Sequence, residues 1–217
     1  MAETTPVETT TVTVPIHRLR GPSLALHARL SLPPLPEGLV VLAAAADSRA
    51  GGAVAATLHE SWIGTLVVDL LVEDELAERH NSRDLPLLAE RFLASVRLID
   101  SLEYTRHLPL GFFGTGRAGG AAILAATREP RLTAVVSHQG WHDLSAEKLA
   151  AVRAPTLLIV SSADEEDRRM NQRTLTALRC KKRLVFVPGP ETPPLPNANV
   201  GEAAWMATEW FAEHLDR

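Results

Sequence analysis

The sequence predicts an α/β fold built on a mostly parallel central sheet, and three observations predict it. Short, nearly all-apolar runs recur along the chain. The longer segments between them carry apolar residues at helical spacing. Only the N-terminal part departs from this alternation, reading as two strands around a tight turn. Strands apolar on both faces need cover on both sides, which crossover helices supply.

Residues 1–9 are acidic and Thr-rich and are expected to form a disordered tail, leaving residues 10–217 as one domain. Thr10–His17 and Leu24–Leu32 are β-rich runs flanking Arg20-Gly21-Pro22-Ser23, where Gly-Pro marks the turn of a hairpin. The Pro-rich stretch Pro33–Gly38 ends it. Strands are then expected at Leu39–Ala44, Thr65–Leu70, Leu110–Gly114, Leu132–Ser137, Pro155–Ser161 and Arg183–Val187. Four intervening segments read as helices. Asp84 is an N-cap for Leu85–Leu102, whose Leu88, Phe92, Val96 and Ile99 form one stripe. Gly119–Thr127 is rich in small residues and suits close packing on the sheet. Asp167–Cys180 is polar, and Glu202–Leu215 gathers Ala203, Ala207, Trp210 and Phe211 on one face.

The bulk properties narrow the function. With 22 Lys and Arg against 26 Asp and Glu, the net charge is −4, so no basic face for nucleic acid is expected. No apolar run nears the roughly 20 residues of a membrane span, and the N-terminus lacks the charge and apolar pattern of a secretory leader. The single cysteine, Cys180, allows no disulfide within the chain. A cytoplasmic location follows as the expectation.

Several segments in this order resemble the α/β-hydrolase superfamily, and within it dienelactone hydrolase-like proteins. They are the leading hairpin, Leu39-Val40-Val41-Leu42, Leu66-Val67-Val68-Asp69-Leu70-Leu71, and Leu110-Gly111-Phe112-Phe113-Gly114 running into a small-residue helix. Val152-Arg153-Ala154-Pro155-Thr156-Leu157-Leu158-Ile159-Val160, followed by Ala163-Asp164, is the most specific part; Leu184-Val185-Phe186-Val187-Pro188-Gly189 and a last helix complete the series. The resemblance covers residues 10–215. It implies a single-domain α/β-hydrolase fold with helices on both faces and no large lid.

It also implies a Ser on a Gly-x-Ser-x-Gly turn, a His that deprotonates it and an acid that orients the His. Carried over residue by residue, the first glycine is Gly114, the nucleophile position is Gly116 and the closing glycine is Ala118. The acid position is Asp164. The loop after the last strand holds no His, and Thr192 stands in its place. The His-Gly that the family carries after the third strand falls on Ala44-Ala45, which makes Ala45 and Ala46 candidate pocket residues. With nucleophile and base both missing, ordinary serine hydrolysis is not expected.

Gly114–Gly119 spells G-x-G-x-x-G between strand and helix, but a dinucleotide site needs an acid after the next strand, where Ser137-His138 stands. No cofactor and no metal are expected. The same turn, with Arg117 at a helix N-terminus, suits an anion. His138 and His142 lie after a strand at the sheet's C-terminal edge, where they read as partly exposed loop residues or, with Asp164, as an acid–base or ligand set. The runs Glu73–Glu75 and Glu165–Asp167 read as solvated, Cys180 as structural, and Trp205 as a surface residue off the buried stripe.

The leading expectation is thus a pseudo-hydrolase that binds a small-molecule or anionic ligand, or a protein partner, a second copy included, through the former active-site pocket. That pocket is expected to involve Ala45, Ala46, Thr115, Gly116, Arg117, His138, His142 and Asp164. The alternatives are a cyclase, isomerase or lyase using His138, His142 and Asp164 as acid–base groups, and a weak residual esterase acting through Thr115 or a bound water.

Overall fold

Eight strands form one sheet in the order β1-β2-β4-β3-β5-β6-β7-β8. The computed structural model describes residues 6–16, 24–43, 49–78, 80–161, 163–188 and 198–215. The strands are β1 (Glu8–Ile16), β2 (Leu24–Leu32), β3 (Gly38–Ala43), β4 (Ile63–Val68), β5 (Leu110–Thr115), β6 (Leu132–His138), β7 (Thr156–Ser161) and β8 (Lys182–Val187). The helices are α1 (Arg49–Glu60), α2 (Glu73–Leu76), α3 (Leu85–Ser101), α4 (Arg117–Ala126), α5 (Ala146–Ala150), α6 (Glu165–Ala177) and α7 (Ala198–His214), with a 3-10 turn at Asn81–Arg83.

β1 pairs antiparallel with β2, from Glu8 opposite Leu32 to Ile16 opposite Leu24, which is the predicted hairpin. Its first strand begins two residues before the expected Thr10. The turn Arg20–Ser23 and residues 1–5 of the expected tail lie outside the described residues. β2 joins β4 antiparallel, and every later pairing is parallel. All six expected parallel strands are present within two residues of their predicted bounds. The sheet and its helices form the single-domain α/β-hydrolase fold that the resemblance implied.

Alternation along the central strands divides the core into two layers. On β3, Leu39, Val41 and Ala43 face a cluster that includes Phe92, Phe112 and Ile123. Val40 and Leu42 face the opposite cluster, with Leu58, Phe113, Trp210 and Phe211. α3 and α4 thus cover one side, and α1 and α7 the other. The α3 stripe is as predicted: Leu88, Phe92, Val96 and Ile99 are buried, and Phe92 meets Phe112 with ring centroids 5.0 Å apart. Asp84 caps the helix by accepting the Leu87 N–H at 3.0 Å. In the small-residue helix α4, every residue from Gly119 to Ala126 is buried, as close approach to the sheet requires.

Among the described residues no helix is long and apolar enough to cross a membrane.

Candidate functional site

β5 ends and α4 begins around one residue. Gly116 is the N-cap of α4, at φ 55° and ψ −122°. A side-chain-bearing residue is strained there, whereas glycine is not. The turn is pinned from the neighbouring strand: the Gly116 N–H donates to the His138 carbonyl at 3.0 Å, and the Trp141 N–H donates to the Gly116 carbonyl at 3.1 Å. A Cβ built on Gly116 would project into open space, with nothing within 4 Å. The neighbouring glycines differ. A Cβ on Gly119 would strike Ser137 Oγ, and one on Gly120 would strike the Trp141 carbonyl, so both are fixed by packing. The backbone therefore makes a sharp strand-to-helix turn at Gly116, the position to which the resemblance assigns the nucleophile, and this residue has no side chain.

A cavity of about 840 Å³ opens beside this turn at the C-terminal edge of the sheet, where α/β proteins place ligands. Its floor comes from strand ends and the start of α4: Ala43, Val68, Thr115, Arg117 and Ala118. Ala25 and His27 of β2 and the segment after β4, Asp69–Val72, form a wall. Glu73, Leu76, Ser82, Arg83 and Leu88 close the rim. The Arg117 guanidinium lies 5.4 Å from the centre of the Trp141 ring, a cation–π contact that steadies it. In the first turn of α4 the Gly119 N–H donates to the Gly116 carbonyl at 3.1 Å, and the positive dipole end of the helix favours negative charge.

His138 and His142 occupy a different place. His138 is the last residue of β6, paired with Thr115 on one side and Ile159 on the other, and is 8% exposed. His142 is 5% exposed, and its Nε2 lies 2.8 Å from the buried Ser137 Oγ. Loss of hydration alone pushes both imidazoles down to about 4, so both rings are neutral at pH 7. The expectation of partly exposed loop residues is corrected: β6 runs one residue further than predicted, and the following turn, with Gln139 at φ 48°, folds His142 back under the sheet edge.

Asp164 is the N-cap of α6; its Oδ1 accepts from the Glu166 and Asp167 N–H groups at 2.8 and 3.1 Å. Among the described residues no hydrogen bond or ion pair joins His138, His142 and Asp164 to one another. No group of three or more His, Cys, Asp or Glu among these residues is placed to hold a metal ion.

Of the predicted pocket residues, Thr115 and Arg117 line the cavity and Gly116 sits between them in the chain, while Ala45, Ala46 and Thr192 lie outside the described residues. Cys180 is a free, half-buried thiol whose Sγ lies 3.6 Å from Thr156 Oγ1. Trp205 is 56% exposed, as its position off the stripe predicted. Sequence reasoning missed His27, Asp69, Glu73 and Arg83. Asp69, the first residue past an all-apolar strand, carried a usable signal; Arg83 on an irregular turn carried none.

No family model matches the chain. Two Mycobacterium tuberculosis proteins, each named "Putative phosphoribosyl transferase", are 35% identical over 201 residues, covering 90% of this chain and 45% of theirs. The chain thus spans about half the length of the curated relatives it matches. Among solved structures, Est1E from Butyrivibrio proteoclasticus shares the fold at a TM-score of 0.74 and 14% identity, covering 94% of this chain and 98% of that one. The dienelactone hydrolase of Anabaena variabilis superposes with a TM-score of 0.88 and is 32% identical, covering 97% of this chain and 99% of that one. At that identity, over nearly the full length of both, the likeness goes beyond fold: the chain belongs to the dienelactone hydrolase family of α/β-hydrolase proteins.

Proposed function

We propose that this chain is a non-hydrolytic member of its family that binds a small molecule bearing an anionic group in the cavity beside the β5–α4 turn. The observation that carries the reading is Gly116: the turn keeps its φ of 55°, and the space where a nucleophile would stand is open. A carboxylate or phosphate fits that space, facing the α4 N-terminus with Arg117 beside it. The mostly apolar walls, Val68, Leu70, Leu71 and Leu88, suit an apolar body behind the charge. Phosphoribosyl transfer is named for relatives more than twice as long, of which this chain matches 45%.

The test uses p-nitrobenzoate as the anionic probe and p-nitrobenzamide as its neutral counterpart. Calorimetry is expected to show binding of the anion, weaker binding of the amide, and roughly tenfold loss for Arg117→Gln, equal to about 1.4 kcal/mol. A fluorophosphonate probe is expected to leave the protein unlabelled. Turnover of p-nitrophenyl esters that is abolished by substituting Arg117 or Asp164 would overturn the proposal.

A further inference from the structure

From Leu71 to Asp84 the chain passes along the rim of the cavity with no buried side chain among the described residues. The same stretch supplies Glu73, Leu76 and Arg83 to the lining, and Leu76 is 62% exposed although it faces the cavity. Apolar burial therefore does little to hold this segment, and segments of that kind open locally at low free energy.

A polar contact ties it to the body instead. Arg91, in the middle of α3 and 2% exposed, donates from Nη2 to Glu75 Oε1 at 2.7 Å. Glu75 Oε2 accepts the Val72 N–H at 3.3 Å, and the Glu75 carbonyl accepts from Asn81 Nδ2 at 2.9 Å. Glu75 thus links the start of α2, the 3-10 turn that carries Arg83, and the buried face of α3. Separating a buried charge pair is costly, so this contact favours the docked position of α2.

We infer that the Glu75–Arg91 pair is a positioning device that pins α2 as a cover over the cavity and sets access to Thr115 and Arg117. The inference rests on the reading of that cavity as the binding site, although the cover can be tested without a ligand. In the full-length protein, Cys180→Ser removes the native thiol and Thr115→Cys places a reporter on the cavity floor. Its labelling by fluorescein maleimide is then compared with and without Glu75→Ala, and hydrogen exchange is followed in residues 72–84.

Glu75→Ala is expected to raise the labelling rate at least tenfold and to speed exchange in residues 72–84, leaving α4 and α7 unchanged. Glu75→Gln, which keeps an acceptor oxygen for Arg91, is expected to fall between, and it carries the test if the alanine variant does not fold. Labelling within twofold of the parent overturns the inference. So does a uniform rise in exchange across α3, α4 and α7, which is the mark of a purely structural role. If p-nitrobenzoate does not bind the wild type but labelling responds to Glu75, the cover stands and the binding proposal falls. If the probe binds and labelling does not respond, the cover alone falls.

Discussion

Acid should destabilise this fold well before its carboxylates titrate, because two imidazoles are buried neutral. His138 and His142 each have a folded-state value of about 4, set by burial, against an ordinary value of 6.5. The unfolded chain therefore binds protons below pH 6.5 that the folded chain refuses, and stability present above 6.5 is lost as the pH falls toward 4. Between pH 7 and pH 5 each ring costs about 2 kcal/mol, so the pair removes about 4 kcal/mol, a large part of an ordinary domain's stability. His59, lowered by burial and then by Arg29, acts in the same direction. Asp167 is raised, by partial burial and then by its neighbours Asp164 and Glu166, and acts oppositely. Urea unfolding at pH 7, 6 and 5 measures the loss, and His142→Gln, whose amide can still accept from Ser137, should reduce it by about half. A wild-type change under about 1 kcal/mol, or an unaltered slope in His142→Gln, would refute the reasoning.

Four further outcomes are expected. Ser137→Ala strands His142 Nε2 in the interior, and urea unfolding should show a loss of about 1–3 kcal/mol. Gly120→Ala drives a methyl group into the Trp141 carbonyl and should cost about 1–3 kcal/mol by the same measurement. Gly52→Ala, in α1 with open space around the new methyl group, should instead stabilise by about 0.5–1 kcal/mol. Gly116→Ser should fold with a loss of about 1–3 kcal/mol from its left-handed backbone and remain unreactive toward fluorophosphonate, since Ser137 keeps His142 engaged elsewhere.

The parallel strands were legible because burial on both faces leaves an unbroken apolar run, as in Leu39-Val40-Val41-Leu42. α3 was legible through its stripe and its Asp84 cap. Three helices were not delimited from sequence. α1 opens Arg-Ala-Gly-Gly, where paired glycines dilute the helical signal, and α2 and α5 are four and five residues long, too short to show a period. The site divided in the same way. The Gly114–Ala118 turn follows from a local pattern, so Thr115, Gly116 and Arg117 could be placed. His142 could not, because its position depends on a turn with Gln139 at φ 48° that nothing in Ser137-His138-Gln139-Gly140 announces. The cavity wall depends on β2 lying beside β4, a pairing across the sheet that local sequence does not encode.

Glycine at 116 changes what holds the β5–α4 junction in shape. With an L-residue at this position the neighbouring hydrogen bonds would have to restrain a conformation that costs about 1–3 kcal/mol. Here glycine adopts the turn without that cost, so the contacts from His138 and Trp141 oppose no such tension. Placing a side chain at 116 would therefore run uphill in folding free energy.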